Sequence, residues 1–122
     1  MHPIVQDSYI KEILDQLQSY TETRFDSGKI CWIYSASMAP GGAFHLHKDI
    51  HCIGRYHIVE TTTPYCYMMV EDKHEIKTVH LPADGQVWFL DTNVNHTAIN
   101  ITPSFAVEKL RTHLILSIYQ QS

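Results

Sequence analysis

The apolar positions change period once along the chain, and that change predicts its architecture. Tyr9, Ile10, Ile13, Leu14 and Leu17 recur at three- and four-residue spacing, which predicts an amphipathic helix over about residues 7–20. Asp7 or Ser8 can cap its start by accepting a hydrogen bond from a free N–H of the first turn. From about Ile30 onward the helical period is gone. Short runs rich in aromatic and β-branched residues follow at 30–36, 44–49, 55–60, 65–70, 76–81, 86–90, 96–101 and 110–119. Turn chemistry separates them: Met38-Ala39-Pro40-Gly41-Gly42, Glu71-Asp72-Lys73, Pro82-Ala83-Asp84-Gly85 and Asp91-Thr92-Asn93, with a loop around Pro103 over 102–107. One helix followed by about eight evenly spaced strands predicts a mainly β, antiparallel sandwich or barrel.

The chain has 122 residues, which suits one domain over 1–122, with a helix at about 7–20 and a β-core at about 30–119. Its formal charge of −4, without a long Lys/Arg cluster, argues against nucleic acid or an anionic membrane as partner. No apolar run approaches the roughly 20 residues that cross a bilayer, and Met1-His2-Pro3 does not resemble a signal peptide. Cys31, Cys52 and Cys66 are odd in number and lack CxxC spacing, so they read as buried, reduced thiols of a cytoplasmic protein. Nine histidines are the one compositional excess, and a surplus of imidazole suits metal chemistry.

The densest of that chemistry lies in His45-Leu46-His47-Lys48-Asp49. If the segment is a strand, His47 and Asp49 project to one face and aim an imidazole and a carboxylate at a common point. A distant histidine can close the triangle, and His96 stands where a polar loop opens into a strand. Two histidines and a carboxylate on one face leave the other positions of an octahedral metal open, as non-haem Fe(II) oxygenases require. His45 and His51 share the parity of His47 and are alternative ligands. Taken alone, His-x-Asp also fits a solvated surface stretch, and His96 fits a half-buried structural histidine.

Arg111 heads the most apolar run, Thr112-His113-Leu114-Ile115-Leu116-Ser117-Ile118-Tyr119. Its guanidinium is either at the rim in water or pointing inward. Inward, it needs a carboxylate partner, because an unpaired buried charge is prohibitively costly. Arginine meets a carboxylate with a two-pronged hydrogen bond that lysine cannot copy. Arg55 and His57, two apart, place two more donors on one strand face, although an exposed face would look the same.

The ordered set of local sequences resembles the aspartyl/asparaginyl β-hydroxylase-like branch of the Fe(II)/2-oxoglutarate oxygenases, which includes free-proline hydroxylases. The resemblance runs from about Ile30 to Tyr119. It is carried by Pro40-Gly41-Gly42, His47-Lys48-Asp49, Arg55-Tyr56-His57, Gly85-Gln86-Val87-Trp88-Phe89-Leu90-Asp91, His96-Thr97-Ala98-Ile99-Asn100 and Arg111. It implies a double-stranded β-helix, a cupin-like jelly roll, with His47, Asp49 and His96 as iron ligands. It also implies that Arg111 takes the distal carboxylate of 2-oxoglutarate, with Arg55 and His57 near that cosubstrate and no catalytic residue beyond the metal ligands. The implied reaction consumes O2, releases succinate and CO2, and hydroxylates an unactivated C–H bond of an amino acid or a peptide residue. The 15-residue gap from His96 to Arg111 (111 − 96) is long for the family, so the loop at 102–107 must absorb the extra length. The part ahead of Ile30 is short, which leaves open a homodimer covering an exposed sheet edge.

Two rival readings stand beside it. Gly85, His96 and Asn100 match the spacing of a cupin second motif, giving a metalloprotein that is an isomerase or a cofactor-free dioxygenase. A non-catalytic barrel that binds metal or ligand is the other. Arg111 separates them, since only a 2-oxoglutarate enzyme needs it inside the barrel. Substrate selectivity is expected in the loops at 37–44, 51–54 and 61–64, which carry no diagnostic motif.

Overall fold

A computed structural model of the chain describes residues 8–25 and 28–120. Helix α1 (Ser8–Arg24) leads into β1 (Gly28–Met38), β2 (Gly54–Thr61), β3 (Cys66–Asp72), β4 (Glu75–Val79), β5 (Val87–Leu90), β6 (His96–Asn100) and β7 (Arg111–Gln120). The strands form two antiparallel sheets, one ordered β1-β7-β2-β5 and one ordered β4-β3-β6. The expected mainly β, jelly-roll-like architecture is what the chain adopts, with one helix ahead of the strands among the described residues. Among the described residues no helix is long and apolar enough to cross a membrane.

Strand β7 explains why the last run is so apolar. It lies between β1 and β2, and both of its faces are covered. Leu114, Leu116 and Ile118 turn to one face, where they pack with Tyr56 against Leu14, Leu17 and Phe25 at the helix side. Leu116 and Ile118 are fully buried, each contributing about 1.5–3 kcal/mol. The alternate residues Arg111, His113, Ile115 and Ser117 turn toward the second sheet. A second cluster of Met38, Val59, Met68, Leu81 and Ala98 packs there with Trp88 and Leu90.

Helix α1 runs four residues past the predicted end. Thr21 is the reason: it is fully buried, its hydroxyl bonding Leu17 O at 2.6 Å and the Tyr56 hydroxyl at 2.8 Å. A residue that the apolar pattern treats as solvated thus continues the packing face. The proposed Asp7 cap lies outside the described residues. At the start of β2 a side chain has no room, since a Cβ on Gly54 would stand 2.5 Å from Phe89 Cε2 and 2.8 Å from Leu90 O.

Three expectations are corrected. Segment 44–49 is not a strand; it meets β6 through the single bridge His47↔His96, with a second bridge, Ala43↔Ile99, just ahead of it. Four steps on its side oppose three on the other (47 − 43 against 99 − 96), a one-residue slip that breaks the ladder as a bulge does. Cys31 is exposed rather than buried, because the β1–β7 register slips between Ile30 and Trp32 at that residue; Cys52 and Cys66 are buried, and all three are free thiols. The hairpin predicted at 71–73 turns slightly later, with Lys73 and His74 both in the left-handed region (φ 50° and 71°), as a two-residue hairpin loop that follows strand twist requires.

Candidate functional site

His96 is the first residue of β6, and His47 lies opposite it in the bridging segment. Their main chains exchange both hydrogen bonds, His47 N–H to His96 O at 3.1 Å and His96 N–H to His47 O at 2.8 Å. Asp49 is anchored two residues on, its N–H donating to Thr92 O at 2.7 Å. Asp49 Oδ2 lies 3.2 Å from His96 Nε2 and 3.6 Å from His47 Nε2. The donor atoms of these three residues all fall within 4.8 Å of one another. The geometry therefore brings His47, Asp49 and His96 together, but through a cross-strand pair rather than the single strand face that the sequence suggested. His45 and His51 are exposed and stay outside the cluster.

The tautomers follow from the backbone. His47 Nδ1 faces His45 O at 2.7 Å and His96 Nδ1 faces Val94 O at 2.9 Å. A ring nitrogen facing a carbonyl must carry the proton, so each Nε2 presents a lone pair. Two lone pairs and a carboxylate oxygen converging on one point repel each other unless a cation or an added proton lies among them. That donor set fits a divalent ion of the iron type. Arg55 holds the same carboxylate oxygen: its Nη1 donates to Asp49 Oδ2 at 3.1 Å and its Nε to Ser117 Oγ at 3.3 Å.

These groups line one end of a cavity of about 300 Å³ between the sheets, which also includes Phe44, His57, Met68, Arg111 and Ile115. Arg111, at the start of β7, is only 5% exposed. Its Nη1 reaches Met68 Sδ at 3.6 Å, its Nε has no partner, and among the described residues no carboxylate forms an ion pair with it. Burial pulls its pKa below the ordinary arginine value, partly offset by the Cys66 thiol. A buried cation without an anion costs several kcal/mol, so this position suits an anionic guest.

His57 and His113 form a buried pair in the same region, Nδ1 to Nδ1 at 3.0 Å. Burial first, then His113, Arg111, Arg55 and His96, hold the His57 pKa well below the usual histidine value. Burial and Arg111 push His113 down to about 3. Both rings are therefore neutral, and His57 Nε2 has no hydrogen-bond partner. Asn100 ties the long 101–110 loop to the end of β1. Its Nδ2 donates to Met38 O at 2.9 Å and Lys109 O at 2.8 Å, while its Oδ1 accepts from Thr102 N at 3.0 Å and Thr102 Oγ1 at 2.6 Å. That network absorbs the extra length between His96 and Arg111. Sequence reasoning gave Asn100 only a cupin spacing and passed over His113, whose two-residue offset from Arg111 placed it on the cavity face.

The aspartyl/asparaginyl beta-hydroxylase family matches residues 8–121. The chain belongs to this family, which is of the 2-oxoglutarate-dependent hydroxylase type. No curated protein matches the chain.

Proposed function

We propose that the chain is an Fe(II)- and 2-oxoglutarate-dependent hydroxylase acting on an amino acid or a peptide residue. The observation that carries this reading is Arg111: a guanidinium buried without a carboxylate of its own, in the same cavity as a His-Asp-His donor set. His47 Nε2, Asp49 and His96 Nε2 would hold the iron. When bound, that group supplies O2 activation coupled to decarboxylation of 2-oxoglutarate, with succinate, CO2 and a hydroxylated C–H bond as products. Arg111 grips the distal carboxylate of the cosubstrate, which supplies the missing anion. Arg55 holds Asp49 in place and adds positive charge beside the cavity, and His57 offers a further polar atom to it. The apolar wall of Met68, Leu90, Ala98 and Ile115 keeps water from the reacting region. A cupin isomerase has no use for the buried arginine.

Adding Fe(II) and 2-oxoglutarate without oxygen should produce a weak visible charge-transfer band, with saturable 2-oxoglutarate binding. A chain that shows neither the band nor binding is not this kind of enzyme.

A further inference from the structure

The His57–His113 pair is not needed to hold an ion and is not part of either hydrophobic cluster. The two residues sit diagonally across neighbouring strands, with Val59 opposite His113 and Ile115 opposite His57. Their Nδ1 atoms are 3.0 Å apart in a site with almost no solvent, so one proton lies between them and one ring must donate. The direction of that bond decides what His57 shows the cavity. If His57 donates from Nδ1, its Nε2 is a bare lone pair. If His57 accepts, its proton stands on Nε2 and becomes a hydrogen-bond donor.

We infer that His113 is a positioning residue: its Nδ1–H donates to His57 Nδ1 and keeps the His57 proton on Nε2, as a donor for an anionic guest. Two observations support this direction, and a third keeps both rings neutral. His57 Nε2 is buried and without a partner, so whatever it carries is kept for a guest. The same cavity contains Arg55 and Arg111, so the guest that it suits is an anion, toward which a lone pair would be repulsive and an N–H attractive. Arg111 also lies two residues before His113 on the same strand face, which favours a neutral His113. The pair thus sets a tautomer by a neutral hydrogen bond, without a second buried charge. The inference rests on the proposed function only for the identity of the anion, 2-oxoglutarate.

The test reads the proton directly and then its consequence. In the full chain without metal, imidazole nitrogen NMR should show His57 protonated at Nε2 and bare at Nδ1, and His113 protonated at Nδ1. Calorimetry with 2-oxoglutarate and the zinc-loaded protein then compares His113→Asn, whose amide can still donate, with His113→Leu, which cannot. The leucine variant should bind about tenfold more weakly, the asparagine variant within about threefold of the parent, both with unchanged zinc affinity. A His57 proton found on Nδ1 in the parent chain overturns the inference, as does equal weakening in both variants or none in the leucine variant. Should the leucine variant fail to fold, the parent spectrum and the asparagine variant decide. If the parent binds no 2-oxoglutarate, the proposed function falls, while the position of the His57 proton still upholds or overturns the role of His113.

Discussion

The two ends of the cavity differ in how their charges are met. At the mouth, Asp49 Oδ2 meets Arg55 and both imidazoles, and its side chain remains 27% exposed. At the deep end, Arg111 and His57 are each 5% exposed, and Arg111 Nε and His57 Nε2 lack partners. The mouth gathers donors that suit a cation, whereas the deep end holds a buried, unpaired guanidinium that suits an anion. The contrast teaches that a binding site can be located by its unmet polar groups as well as by its assembled ones.

The largest effect should come from the mouth. Asp49→Ala removes the only carboxylate of the donor set, and metal affinity should fall about 100-fold or more, read by competition with a chelating dye. The fold should change by less than about 1 kcal/mol, because the pair it breaks with Arg55 is partly solvated. An undiminished affinity would move the ion elsewhere and undo the comparison.

Arg111→Met tests the deep end. The 2-oxoglutarate affinity should drop about 100-fold while metal affinity holds, since a charge-assisted two-pronged contact is lost. The same change removes an unpaired buried charge, so urea unfolding without cosubstrate should show a gain of about 1–3 kcal/mol. Equal losses of stability and binding would mean that the guanidinium holds the fold together instead.

The smallest effect is a pH dependence. His57 and His113 are both held below the ordinary histidine value, His113 near 3. Below about pH 6.5 the unfolded chain takes up protons that the folded chain refuses, so stability is full above that point and declines as pH falls toward 3. Between about pH 6.5 and 5 the decline from His113 should be roughly 1–2 kcal/mol, and His113→Leu should flatten it in urea titrations. A slope unaffected by that change would place the cause in the carboxylates.

The sequence pattern foretold the fold class, because alternation and turn residues are local signals. It also pointed to His47, Asp49 and His96 as a group, though for a partly mistaken reason. The periodicity of a strand was invoked for 44–49, yet the convergence depends on the His47–His96 bridge, a non-local pairing that no short pattern encodes. For Arg111 the sequence offered two alternatives, rim or interior, and only the packing of β7 between two layers chose between them. His113 escaped notice because it sits in an apolar run whose two faces are buried for different purposes. Thr21 was missed for a similar reason: a small polar residue looks solvated until its hydroxyl finds Tyr56.

The reciprocal main-chain bonds between His47 and His96 have a kinetic consequence. With the two rings spaced by their own backbone and each locked by a carbonyl behind it, the donors need little rearrangement on loading. Uptake of an ion should then be governed by how fast the incoming cation sheds its water, not by ordering of the polypeptide. Such a cradle should also select by size, disfavouring ions too large for its span.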